Sequence, residues 1–149
     1  MVDSRQKGSR AELVVRDKLR EYTDLLWQRV PASGALSADH HLKGDLYIPR
    51  AYNNYCVEVK HYKEDQLTSK VLSSKRPILF DWWEQTIRQS EQVEKLPLLI
   101  YKFDRSKLFV GVHKKPIVTN RFIFISQINM YSLLLEDWIL NEKVEFINE

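Results

Sequence analysis

The stretch "YCVEVK" (55–60) places a carboxylate and an ammonium where both could act on one substrate. In an extended chain alternate side chains share a face, so Tyr55, Val57 and Val59 point one way and Cys56, Glu58 and Lys60 the other. Glu58 and Lys60 then stand about 6.6 Å apart, two residues of strand rise. Thirteen positions ahead of Glu58, Asp45 opens the segment "DLYIP" (45–49). The intervening "RAYNN" has paired asparagines suited to a turn, which makes the two segments a hairpin and brings Asp45 beside Glu58 and Lys60. Two carboxylates and a lysine so arranged can bind Mg²⁺ through oxygen and hold a water against a phosphate. Such a metal lowers the pKa of its water from about 15.7 to about 7. Lys60 would orient that water or stabilise charge on the phosphoryl oxygens.

As a string, Asp-spacer-Glu-x-Lys is weak in a chain that is 29% charged. Its weight comes from lying in two predicted strands with a further acid upstream. That acid is Glu12, and it has a plainer reading. "SRAE" (9–12) fits a capping box, with Ser9 as the N-cap and Glu12 reaching back to its amide. On these residues alone the cap is the simpler assignment.

The elements that must position these groups follow from periodicity. "SRAELVVRDKLREY" (9–22) sets Ala11, Val15, Leu19 and Tyr22 at helical spacing. "LLWQRV" (25–30) reads as a strand, and "PASGALSADHHLK" (31–43) as a loop. Pro77 opens a helix through about Val93. "PLLIYKF" and "KLFVGVH" are strands around a "DRS" turn, and a short strand follows. "SQINMYSLLLEDWIL" is predicted as a last amphipathic helix capped by Ser126. The order of elements gives an α/β fold on a mixed sheet.

At 149 residues the chain fits one domain (1–149), without repeats or linkers, in which 116–149 forms a strand and helix extension. A single cysteine excludes an internal disulfide and a cysteine-based zinc site, and fits a reducing compartment. With no apolar leader or membrane-length stretch, a soluble cytoplasmic protein is expected. Residues 1–121 hold 22 Lys and Arg against 15 Asp and Glu, whereas 122–149 hold one against five. A basic body with an acidic tail favours a polyanionic partner.

"KGSRAE" (7–12), "RVPASG" (29–34), "GDLYI" (44–48) and "YCVEVKHYKEDQL" (55–67) occur in one order, continued by the next helix and "PLLIYKF". Over roughly residues 5–115 this resembles the archaeal-type Holliday junction resolvases of the PD-(D/E)xK nuclease superfamily. The resemblance implies a restriction-endonuclease-like fold, a central mixed β-sheet flanked by helices. It makes Glu12, Asp45 and Glu58 acidic residues of a metal site, with Val59 in the same metal set and Lys60 the catalytic lysine. Glu12 thereby shifts from cap towards ligand, although it could serve as both. Lys7, Arg10, Arg29 and Ser33 match family positions that contact DNA. The cofactor implied is Mg²⁺, with Mn²⁺ as a substitute. The implied activity is structure-selective hydrolysis of phosphodiester bonds in branched DNA, most of all four-way junctions. A related nuclease for flaps, mismatches or duplexes, and a branched-DNA-binding module that no longer cuts, are the alternatives. Gly44 stands where the superfamily motif has proline, and Leu13 where many relatives have arginine. The 31–43 loop is long, and nothing past 116 has a counterpart.

Other features carry less. His40-His41 lacks acids in a ligand pattern, Ser33 lacks a paired base, and no glycine-rich phosphate cradle is present. Cys56 reads as a packed residue. A homodimer is expected, because two opposed cuts need two sites and the chain carries one. In "PILFDWWEQTI" (77–87), Leu79, Trp83 and Ile87 should face the sheet. Ile78 and Trp82 form a second apolar face, either a dimer contact or a surface covered by Tyr131, Leu134 and Trp138.

Overall fold

The stripe Ala11, Val15 and Leu19 is buried, and the helix that carries it, α1, runs Ser4–Thr23. It ends where Asp24 turns left-handed (φ 57°) and its amide still bonds the Arg20 carbonyl. The structure is a computed structural model describing residues 4–31 and 43–148. Because α1 starts five residues before Ser9, Ser9 is inside the helix and the capping box does not form. Glu12 is therefore free to face another element.

Among the described residues seven strands make one sheet in the order β1-β2-β3-β4-β5-β7-β6. They are β1 (Gln28–Arg29), β2 (Leu46–Tyr47), β3 (Tyr55–Tyr62), β4 (Leu96–Phe103), β5 (Phe109–Val112), β6 (Phe122–Ile125) and β7 (Met130–Leu134). The predicted hairpin is present, with Leu46 opposite Val57 in antiparallel register. Only β3 and β4 run parallel, and α2 (Lys70–Ser73) and α3 (Ile78–Gln92) lie in the connection between them. A parallel pair needs such a crossover. The predicted strand 25–30 shrinks to two residues at the sheet margin.

The sheet separates two cores. On one face Val57, Val59, Leu98 and Ile100 pack with α1 and with Trp138 and Phe146. On the other, Leu99, Tyr101 and Phe103 meet Leu79, Trp82 and Trp83 of α3. The alternation read in "YCVEVK" holds, but β3 is central and covered on both faces. Glu58 is consequently only 3% exposed.

Two further expectations fail. Residues 126–134 are not helical: Ser126–Asn129 makes a tight turn with Asn129 at φ 52°, and β7 follows. The helix α4 is only Leu135–Asn141. The run Met130–Leu134 is apolar enough for either state, and pairing with β5 on one side and β6 on the other decides for strand. Trp82 is not an exposed interface residue, nor is it covered by Trp138, which belongs to the opposite core. β3 and β4 run on to Tyr62 and Phe103, whose rings lie 6.2 and 6.3 Å from that of Trp82 and leave it 8% exposed. Among the described residues no helix is long and apolar enough to cross a membrane.

Candidate active site

Four elements bring charged groups to the point where β2 leaves β3. Asp45 reaches it through a tight backbone approach: its amide donates to the Val57 carbonyl at 2.7 Å. Gly44 makes this possible. Its φ is +85°, and a Cβ there would sit 2.4 Å from the Val57 oxygen. Proline, fixed near φ −65°, cannot adopt this conformation, so the departure from the superfamily's proline has a geometric cause. The Asp45 carboxylate then accepts the Val59 amide hydrogen through Oδ2 at 2.7 Å. Val59 thus enters the site through its backbone amide.

Glu12 approaches from α1. Arg29, on β1, donates to it from Nε at 3.0 Å and Nη2 at 2.8 Å, both to Oε2. Its other side-chain partner is Asp45, which is in turn hydrogen-bonded to Glu58. Lys60 Nζ lies 3.9 Å from Glu58 Oε2, an ion pair at the limit of contact. The structure therefore brings Glu12, Asp45, Glu58, Val59, Lys60 and Arg29 together. Arg10 is on the exposed surface of α1. Lys7 is in the first turns of α1, with its side chain outside the described part, and Ser33 lies outside the described residues.

Three carboxyl groups in contact cannot all ionise cheaply, and burial adds to the cost. Burial and the neighbouring Asp45 charge push Glu12 up to about 7, against the pull of Arg29. Burial and the Glu58 charge push Asp45 up to about 7, against the Val59 amide. Glu58 is raised too, by burial first, with Lys60 opposing. Burial and the same charge drive the Cys56 thiol up to about 12, which agrees with a packed residue rather than a thiolate. A cluster of carboxyls holding protons near neutrality is short of positive charge.

The donor set suits a hard cation, since every side-chain group offered is an oxygen. Among the described residues no three acidic, histidine or cysteine side chains already form a metal cage. Glu12 is drawn towards Arg29, and Asp45 towards the Val59 amide. Mg²⁺ does not require such a cage: it takes one or two carboxylates and keeps waters and substrate phosphate for the rest. The pair Asp45 and Glu58 meets that requirement.

One residue of the cluster escaped the sequence reading. The Gln89 side chain on α3 lies against Glu58 and favours its charged form, and its Oε1 is buried without a partner. An unpaired buried acceptor costs about 1–3 kcal/mol. The available signal was position, because Trp82, Thr86 and Gln89 follow at i, i+4 and i+7 on one helical stripe. A concavity of about 860 Å³, lined by Tyr55, Lys95, His113, Trp138 and Glu142 among others, lies at the opposite end of β3 and β4. It holds none of these groups, and a duplex-sized polyanion is better met at an open sheet margin.

A mixed sheet between helices, with acids and a lysine at the divergence of an antiparallel hairpin, is the arrangement expected of a nuclease of the PD-(D/E)xK class. The profile of the family described as "Phage putative PDDEXK endonuclease" matches residues 3–141, and the chain belongs to that family. It is 45% identical over 123 residues to Protein D14 of Escherichia phage T5, covering 80% of this chain and 77% of that protein. Among solved structures it is similar to Hjc, a Holliday junction resolvase from Archaeoglobus fulgidus. There the identity is 18% and the TM-score 0.45, with 90% of this chain and 93% of that one covered.

Proposed function

We propose that this nuclease is a Mg²⁺-dependent endonuclease of branched DNA, cutting four-way junctions, with Mn²⁺ able to substitute. The observation that carries the chemistry is the contact chain Glu12–Asp45–Glu58, three carboxyls, partly to fully buried, with two cations, Arg29 and Lys60, beside them. Asp45 and Glu58 hold the cation, aided by Glu12 and the Val59 backbone. When bound, the cation acidifies water and neutralises phosphate charge. Lys60 turns its ammonium to the scissile phosphate. Water oxygen bonds to phosphorus as the bond to the deoxyribose oxygen breaks, and that oxygen takes up a proton. Arg29 holds Glu12 in place and offers its remaining donors to the backbone of the DNA, as do Lys7 and Arg10, and Ser33 is the further DNA contact that the family resemblance implies. Reading shape rather than sequence requires such phosphate contacts.

Two opposed cuts need two sites, so two copies act as a dimer. The deciding experiment incubates the protein with labelled four-way junction, flap, mismatch and linear duplex DNAs, with Mg²⁺, Mn²⁺ or chelator. Paired nicks across the junction, lost in chelator, are expected. Faster cutting of a flap, mismatch or duplex overturns the junction assignment and keeps the nuclease. Intact DNA in every lane with either metal overturns catalysis. Sedimentation at micromolar concentration should show a dimer; a monomer with and without junction DNA removes the paired-site arrangement.

A further inference from the structure

The polar residues on the sheet-facing stripe of α3 divide into two kinds. Thr86 and Ser90 are buried and donate to carbonyls of their own helix, Thr86 to Trp82 at 2.7 Å and Ser90 to Ile87 at 2.8 Å. They are self-contained. Gln89 is not. Its side-chain amide reaches off the helix to Glu58 and favours the charged carboxylate, as an N–H donor does, so the amide nitrogen is the atom that faces it. This fixes the orientation of the amide and turns Oε1 away from Glu58. That oxygen is the single buried side-chain nitrogen or oxygen without a partner among the described residues. The other buried polar residues, Asn53, Gln66 and Ser132 included, have partners.

A buried orphaned acceptor beside a cluster of oxygen donors is a poor use of a half-buried position unless something occupies it. A hydrated divalent cation supplies both things that are missing, positive charge for the carboxylates and a hydrogen-bond donor in its water shell. We infer that Gln89 is a positioning residue of the metal site, with Nε2 fixing the Glu58 carboxylate and Oε1 receiving the cation's water shell. The inference rests on the metal-nuclease reading above. It gives α3, which contributes no acid, a direct part in the site. Partners of this kind orient ligands and typically govern about 10–100-fold in metal affinity or activity.

The test compares wild type with Gln89→Leu, which loses both arms at similar volume, and Gln89→Glu, which keeps an oxygen but no donor for Glu58. Mn²⁺ binding is measured by calorimetry on metal-free protein, and junction cleavage as kcat and KM over a range of Mn²⁺ concentrations. Gln89→Leu should bind Mn²⁺ about 10–100-fold more weakly and lose kcat, with KM for DNA unchanged and part of the rate restored by excess Mn²⁺. Gln89→Glu should bind Mn²⁺ better than Gln89→Leu and still cut slowly, because Glu58 has lost its donor. It provides the comparison should the leucine variant fail to fold. Wild-type Mn²⁺ affinity and kcat in both variants overturn the role of Gln89 and leave the nuclease reading standing. A KM for DNA that rises in step with lost kcat, unrelieved by Mn²⁺, marks a structural residue and also overturns it. A wild type that neither binds Mn²⁺ nor cuts DNA removes the nuclease reading instead, and this assignment with it.

Discussion

Two carboxylate sites in this molecule treat negative charge in opposite ways. At the rim of the far concavity, Glu142 accepts backbone hydrogens from Val118 at 3.1 Å and Thr119 at 2.8 Å, and from Ile117. Slight burial pushes its pKa up, but the three amides outweigh it and hold the carboxyl below its ordinary range. At the β2–β3 divergence, Glu12 and Asp45 stand with Glu58 and are pushed up to about 7. One arrangement uses a carboxylate to satisfy a loop. The other stores three carboxyls against two cations, Arg29 and Lys60, so the fold neutralises them only in part. Groups held against their own preference mark a site built for a ligand rather than for stability.

The largest effects should separate the two sites by activity. Asp45→Asn and Glu58→Gln should cut cleavage to background while junction binding stays at wild-type strength or tighter, because negative charge has been removed from the path of DNA. Glu142→Gln should cut normally. Lys60→Ala should lose on the order of 10²–10³ in rate with little change in the metal concentration needed. Gel assays under single turnover read all four, and Mg²⁺-dependent cutting by Glu58→Gln at the wild-type rate would break the comparison.

Stability should then divide the sites in the opposite sense. In chelator at pH 8, Asp45→Asn removes a like charge and keeps an acceptor for the Val59 amide, so its melting temperature should rise. Glu142→Gln should lower it. For a chain of this size about 1 kcal/mol corresponds to roughly 2–4 °C, and the exposed Glu142 should lie at or below that. Scanning calorimetry that finds both variants shifted the same way would remove the distinction.

The dependence on pH sharpens it further. Glu12 and Asp45 have folded pKa values of about 7 against ordinary values of 4.5 and 3.8, so the folded state holds protons the unfolded chain releases. Their stability contribution is full below about pH 4 and is lost as pH rises to about 7. Glu142 is lowered from 4.5, so its contribution is full above that value and is lost as pH falls through the depressed one. Urea midpoints in chelator should therefore show the advantage of Asp45→Asn opening between pH 4 and 7. The deficit of Glu142→Gln should be flat above pH 5 and close below it. A wild-type midpoint that rises steadily from pH 4 to 8 would contradict the site cluster.

The smallest effect concerns DNA alone. Arg10 is exposed, and replacing it with alanine should reduce the slope of log K against log salt by about 0.9 if it meets one phosphate. An unchanged slope in the triple substitution of Lys7, Arg10 and Arg29 would leave these residues as surface charge only.

Sequence alone determined the parts governed by local pattern. Period-two alternation put Glu58 and Lys60 on one strand face, the turn-rich "RAYNN" placed the hairpin, although its left-handed turn residue is Arg50 and Asn53 pairs with Ile147, and Pro77 marked the start of α3. These depend on neighbours within a few residues, so they are legible without a fold. The order of those motifs was enough to indicate the nuclease superfamily that family membership now gives.

Only the tertiary structure decided the rest, because each remaining question turned on a distant partner. Whether "SRAE" capped a helix depended on where α1 begins, and its start at Ser4 released Glu12 to meet Arg29 and Asp45. Whether 130–134 was helix or strand depended on β5 and β6, which flank it on both edges. Whether Trp82 was exposed depended on how far β3 and β4 extend, to Tyr62 and Phe103. Gln89 carried no motif at all. Its place beside Glu58 exists because the crossover lays α3 across β3, and a contact between residues 31 positions apart leaves no local trace in a sequence.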